Sequence, residues 1–325
     1  MQCNLIIGID VSKRTLDMHI KPVGIALQIS NDLAGFRVLK KHIQPGSAAL
    51  VVLEHTGSYS RKLELFLYKY NISFCKIAAL EIKRSIGVAR GKSDKVDALR
   101  IAEYGWLRKD LLTPTTIVSQ DRELLNNLLS LRAKLVRDRG GYECRIKELK
   151  GAAEGSVHKF LSASHQAAIR FFTKEIKAVE KQIQELIYSN DSYQKTFVLL
   201  TSMKGVGKII AAKMIASTDN FKRFSNARKF NCYAGLAPFK HESGTSIKGR
   251  SRVSHLANKD MKTMLNLSAF CAIRFDAELK EYYQRRIAEG KPKMACINII
   301  RTKIVARMFA IIKRQQPYQP LLIAA

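Results

Sequence analysis

The chain has 325 residues, enough for about two domains and a substantial core, and it carries 56 Lys and Arg against 27 Asp and Glu, a net charge of +29. A field of that sign repels basic partners and attracts polyanions, nucleic acid before an anionic membrane surface. No apolar run approaches the ~20 residues of a spanning helix, "MQCNLIIGID" lacks a basic n-region, and the six scattered cysteines form no CxxC pair, so a membrane span, a signal peptide, disulfides and a structural zinc are not expected.

In chain order, "NLIIGID", "TLDMHI" and "GIALQIS" read as three short strands of a meander, the last two joined by a Pro-Val-Gly turn. "NDLAGFRVLKKHI" reads as a helix capped by Asn31 or Asp32. Then come a buried-type strand "AALVVLE", a helix "SYSRKLELFLYKY", a strand "ISFCKIA" and a helix "SDKVDALRIAEYGWLR". The order β-β-β-α-β-α-β-α is that of an RNase H-like α/β fold.

Past Thr113-Pro114 the pattern changes. Leu124, Leu128, Leu131 and Leu135 recur at steps of four and three, and so do Ile169, Phe172, Ile176, Val179, Ile183 and Leu186. Such seams predict a long helical hairpin or coiled coil over 117–189, and they equally suit two core helices of a bundle. From Phe197 onward the chain reads as helical and glycine-punctuated. It has a Ser- and Gly-rich basic loop near 240–252 and ends in an amphipathic basic helix, "KMACINIIRTKIVARMFAIIKR".

Four acids stand out. Asp10 ends the first strand and Glu54 the fourth, while Asp94 and Asp97 lie three apart on one helix face. In an RNase H-like sheet the first and fourth strands are neighbours, so their C-terminal ends converge and the helix can pack across that edge. Four carboxylates in one pocket repel unless divalent cations, most simply Mg2+, offset them. A two-metal site suits phosphoryl transfer. Singly, Asp10 reads as a turn residue, Glu54 as a solvated acid, Asp94 as a cap and Asp97 as a partner for a nearby base; only the set, on a basic chain, points to chemistry.

"KGVGK" spans Lys204, Gly205, Gly207 and Lys208 between two apolar helical stretches. Its backbone N–H groups can hold a phosphate without reading a base, in the manner of a helix-hairpin-helix; an ordinary helix–helix turn has the same spacing. In "HESGTSIKGRSR", Lys248, Arg250 and Arg252 are candidate nucleic-acid contacts. Its residues His241, Ser243, Ser246 and Ser251 have no Ser-His-Asp spacing around them.

Taken in order, "GIDVSK", "LEHTGSY", "SDKVDALRIA", "GVGKIIAAKMIA" and "YAGLAPFKHESGTSIKGR" resemble bacterial insertion-sequence transposases, the bridge-RNA-guided recombinases, over residues 4 to about 318. The resemblance implies a RuvC-like DEDD domain over 1–116, a helical coiled-coil region over 117–190 and a mainly α transposase domain with a helix-hairpin-helix over 191–325. It implies Asp10, Glu54, Asp94 and Asp97 as catalytic ligands of Mg2+ and Ser243 as the nucleophile on a DNA phosphate, through a covalent phosphoserine. It also implies double-stranded donor and target DNA, a structured guide RNA, a homo-tetramer built as a dimer of dimers, and a place in the bacterial cytoplasm at the nucleoid. After Gly244, Thr245, Ser246 and Ile247 depart from the more basic family pattern. The rival expectations are a junction-resolving nuclease that uses water, and a non-catalytic RNA-binding scaffold.

Overall fold

The computed structural model describes residues 3–44, 47–55, 57–85, 87, 93–149, 155–243 and 247–319; the side chains at 241, 243, 247, 248 and 250 lie outside that description. Two compact units, Met1–Val118 and Ser119–Ala325, divide the chain.

The first unit is built on a five-stranded sheet of order β3-β2-β1-β4-β5. Its elements are β1 (Leu5–Val11), β2 (Thr15–Lys21), β3 (Ile25–Ser30), α1 (Leu33–Lys41), β4 (Ala49–Glu54), α2 (Arg61–Lys69), β5 (Ser73–Ile77), α3 (Ala79–Ser85) and α4 (Asp94–Leu107). Strands β1, β4 and β5 run parallel, and β2 is antiparallel to both β1 and β3. This is the RNase H-like arrangement that the element order predicts. α3, only seven residues long, has no counterpart in the sequence reading.

The period of two in a strand sorts the two faces. Ile7, Ile9, Val51 and Leu53 pack with Phe36 and Leu39 of α1 and Leu63 and Phe66 of α2. The alternate residues Ile6, Leu50 and Val52 pack with Ile101 and Tyr104 of α4. Gly8 lets α4 come very close to β1, since a Cβ at position 8 would stand 2.2 Å from the backbone nitrogen of Ala102. At Gly105, the methyls of Val52 and Ile6 fill the corresponding space.

Among its described residues, the second unit is helical apart from one hairpin. It comprises α5 (Gln120–Leu149), α6 (Ser156–Tyr188), α7 (Asp191–Thr201), α8 (Lys208–Thr218), α9 (Ala227–Tyr233), β6 (Pro238–Ser243), β7 (Ile247–Val253), α10 (Lys259–Phe275), α11 (Ala277–Ala288) and α12 (Lys293–Arg314). α5 and α6 lie antiparallel, tied by Tyr142 against Phe172 and by Arg132 to Glu180 at 2.7 Å. Val179 and Ile183 of the expected seam are buried, but on α5 the buried leucines are Leu125 and Leu129, while Leu124 and Leu131 are exposed. Adjacent leucines in "LLNNLLSL" offer two apolar stripes, and the stripe that meets the core with α7 and α8 is the buried one. That core is closed by Ile297, Ile300, Ile304, Val305 and Met308 of α12. Asp276 joins α10 to α11: it caps Leu279 N–H at 3.0 Å and pairs with Arg307 at 3.0 Å.

Candidate active site

Asp10 lies on the α4 face of the sheet by alternation with Ile6 and Gly8. Ile9 pairs with Leu53 in the parallel register, so Asp10 and Glu54 follow as the next residues of adjacent strands, both alternating with residues of that face. Ser93 caps α4 through Val96 N–H at 3.3 Å, which puts Asp94 and Asp97 in the first turn. Acids there are favoured by the helix dipole. The α4 backbone is seated on β1 by the Gly8–Ala102 contact, and this carries its N-terminal turn to the end of β1.

The electrostatics of Asp10 report the juxtaposition. Its carboxyl is pushed up from its ordinary value, first by its own burial, then by the charges of Asp94 and Asp97 and, less, by Asp17; Val11 N–H pulls the other way. Asp17 faces Asp10 across the antiparallel β1–β2 pair. It is 3 % exposed and accepts hydrogen bonds from Gln28 Nε2 at 3.1 Å on both oxygens. The sequence reading missed it. The signal was there: Asp17 is the mid-strand acid of "TLDMHI", and once β1 and β2 form a hairpin only their register decides whether it faces Asp10. Asp97 donates nothing but receives Arg100 Nη1 at 3.0 Å, so the simple ion-pair reading of Asp97 is also met, and a cation taking this carboxylate competes with Arg100.

The donors suit a hard divalent cation by type, all being carboxylate oxygens, and the repulsion on Asp10 is the kind a cation relieves. Among the described residues, no three His, Cys, Asp or Glu side chains are spaced to hold one ion in this structure.

Within the second unit, β6 and β7 pair from Pro238↔Val253 to Ser243↔Ile247. Ser243 is thus the last residue of its strand, paired with Ile247 at the start of β7. Its side chain and those of Lys248 and Arg250 are outside the described set, as is Ser246. Arg252 is exposed on β7. In the "KGVGK" turn, Lys204, Gly207 and Lys208 are exposed. Gly205, at φ +87, is committed to packing: its carbonyl accepts from Ser268 Oγ at 2.6 Å, and a Cβ there would stand 2.8 Å from that of Ala272.

An RNase H-like sheet, with Asp10 and Glu54 on the face that α4 covers, is followed here by a helical region. A model of DEDD transposases of the IS110 type, described as "Transposase", matches residues 7–149, and one described as "Transposase IS116/IS110/IS902 family" matches residues 198–284. The chain belongs to this IS110/IS116/IS902 family of transposases and is an enzyme of DNA transposition or recombination, whose substrate is DNA. Among its relatives, a "Pilin gene-inverting protein" of Moraxella bovis is 26% identical over 96% of this chain and 97% of its own length. The "Insertion element IS110 uncharacterized 43.6 kDa protein" of Streptomyces coelicolor is 31% identical over 42% of this chain and 33% of its own. Among solved structures, T. thermophilus RuvC in complex with a Holliday junction substrate aligns with 35% of this chain and 99% of that chain, with a TM-score of 0.28 at 11% identity. No helix among the described residues is long and apolar enough to cross a membrane.

Proposed function

We propose that the chain is an RNA-guided DNA recombinase that exchanges strands through a serine–DNA linkage. The observation that carries the catalytic part is the electrostatic meeting of Asp10, Asp94 and Asp97 at one end of β1 in a protein of net charge +29. Asp10, Glu54, Asp94 and Asp97 are the residues that would hold Mg2+. When bound, it supplies Lewis-acid stabilisation of charge on the phosphate. Ser243 Oγ attacks a DNA phosphorus, the P–O3′ bond breaks, and the 3′-hydroxyl leaves with a proton. The serine phosphodiester keeps the bond energy. A 3′-hydroxyl of the partner DNA then attacks the same phosphorus and returns the proton to Ser243, so no nucleotide cofactor is consumed. The name of the Moraxella relative favours this reading, since inverting a gene requires breaking and rejoining strands.

The finer parts rest on the family resemblance. Residues 1–116 act as the DEDD domain, 117–190 as a coiled-coil spacer and 191–325 as the serine domain with its helix-hairpin-helix. Lys204, Gly207, Lys208, Lys248, Arg250 and Arg252 hold backbone phosphates, with Gly205 shaping the turn. A guide RNA chooses the sequence by base pairing while the protein reads backbone and shape, a division of labour known from other RNA-guided enzymes. A tetramer, as a dimer of dimers, assembles the acids of one protomer with the serine of another, in the cytoplasm at the nucleoid.

The test is a trapped adduct. A nicked substrate lacking the partner hydroxyl should leave protein bonded to DNA, with the mass shift on the peptide around "HESGTSIK". Ser243→Ala should lose adduct and recombination while keeping DNA binding. Cleavage by Ser243→Ala with no adduct in the wild type would instead identify water as the nucleophile.

A further inference from the structure

Arg301 lies in the middle of α12 and is 4 % exposed. A guanidinium so deep is ordinarily matched by a carboxylate, as Arg307 on the same helix is by Asp276 and Glu278. Arg301 has amides instead. Its Nη2 donates to Asn266 Oδ1 at 2.5 Å and its Nη1 to Asn298 Oδ1 at 3.4 Å. Its Nε is buried without a hydrogen-bond partner. Asn298 is itself held in place by Leu236, whose carbonyl accepts its Nδ2 at 2.8 Å. Burial pulls the guanidinium below its ordinary pKa. A buried charge left unpaired works against folding, so this one has the character of a binding group whose counter-charge belongs to a ligand.

Arg301 lines a cavity of about 790 Å³ at the base of the β6–β7 hairpin, together with Arg252, His255, Lys262, Asn266 and Asn298. No Asp or Glu is among the described residues lining it. We propose that this cavity is a binding site for a backbone phosphate of DNA, with Arg301 at its floor and Lys262 and Arg252 at its rim. A guanidinium fork suits the two free oxygens of a phosphodiester, and Lys262 adds a second, mobile charge. One wall is the hairpin itself, through Pro238, Arg252 and Val253. Ser243 is five residues further along β6, roughly 17 Å at the rise of an antiparallel strand. A strand lying along the hairpin therefore meets Arg301 a few nucleotides from the phosphate at Ser243. The assignment to DNA rests on the strand-exchange reading above; the cavity's preference for a phosphodiester rests on its own groups.

The test reads binding and stability, so it does not depend on Ser243 chemistry and can be run in the Ser243→Ala background. Inorganic phosphate should raise the melting temperature of the parent protein. Arg301→Gln should melt at the same temperature or higher without phosphate, because it deletes an unpaired buried charge. It should also lose the response to phosphate, bind duplex DNA about tenfold more weakly at moderate salt, and flatten the salt dependence by about one contact. Should Arg301→Gln fail to fold, Asn266→Asp decides. It gives Arg301 an internal counter-charge, and should likewise raise the melting temperature, abolish the phosphate response and weaken DNA binding. Unchanged DNA affinity with an intact phosphate response in either folded variant overturns the proposal, and so does a parent protein that ignores phosphate. A loss confined to single-stranded RNA of the same sequence, with DNA binding intact, overturns the assignment to DNA. None of these outcomes touches the adduct test for Ser243.

Discussion

A carboxyl on the α4 face of the sheet has three neighbours of its own charge, Asp94, Asp97 and Asp17, and that makes Asp10 a residue whose removal should act in opposite directions on stability and activity. Folding disfavours its ionisation. Such a group stabilises the fold while protonated, below about pH 4, and withdraws that contribution as pH rises through its raised value. Asp10→Asn should therefore leave the metal-free protein at neutral pH as stable as the parent or more so. The same change should lower strand cleavage in Mg2+ by more than about 100-fold, the upper end of what losing even an outer-shell partner costs a metal site. Melting in a chelator and a cleavage assay check the two halves; a destabilised Asp10→Asn would show that the carboxylate serves the fold. Residue type and place in an element single out Asp10, Glu54, Asp94 and Asp97 as candidates in the sequence alone. Asp17 is not singled out, because an acid inside a strand shows its face only after register is set. Arg301 was hidden for a related reason: in a basic amphipathic helix every Arg reads as solvent-facing, and only the packing of α12 against α10 singles out the one that is buried.

Among the elements, the turn between α7 and α8 separates two roles that its sequence runs together. Gly205→Ala adds both a left-handed backbone penalty and a clash with Ala272 and the carbonyl of Ser268, and should cost about 2–5 kcal/mol. Gly207 precedes α8 at φ −81, and a Cβ there meets nothing within 4 Å. Gly207→Ala should cost under about 1 kcal/mol, the loss of a tolerated cap residue. Urea midpoints measure both, and equal effects would contradict the packing described for Gly205. Strands β1 to β5 were readable because their apolar residues alternate or run continuously between turn signals. The β6–β7 hairpin was read as a loop, since "KHES" and "IKGRSR" are nearly all polar and broken by glycine. In α5 the doubled leucines fixed the helix but left its rotation to the core it meets.

At the scale of the whole molecule the net charge of +29 is the dominant solution property. Phosphates neutralised by Lys and Arg release counterions, so log K for duplex DNA should fall with log salt at a slope of about −0.9 per contact. Several contacts imply a drop of orders of magnitude between low and moderate salt. Titrations at a series of salt concentrations measure this, and a flat response would mean that the basic surface serves another ligand.

The contact between Gly8 and Ala102 also limits how the sequence can drift. The obstacle to a side chain at position 8 is the backbone nitrogen of the helix, which no exchange at position 102 removes. A compensating partner substitution does not exist for it, short of lifting α4 and carrying Asp94 and Asp97 away from Asp10. At Gly105 the obstacle is two methyl groups, from Val52 and Ile6, and smaller residues there open the space. Two glycines that look alike on the page thus have different evolutionary freedom: position 105 can trade volume with its neighbours, whereas position 8 acts as a fixed stop that sets the gap across which the acids meet.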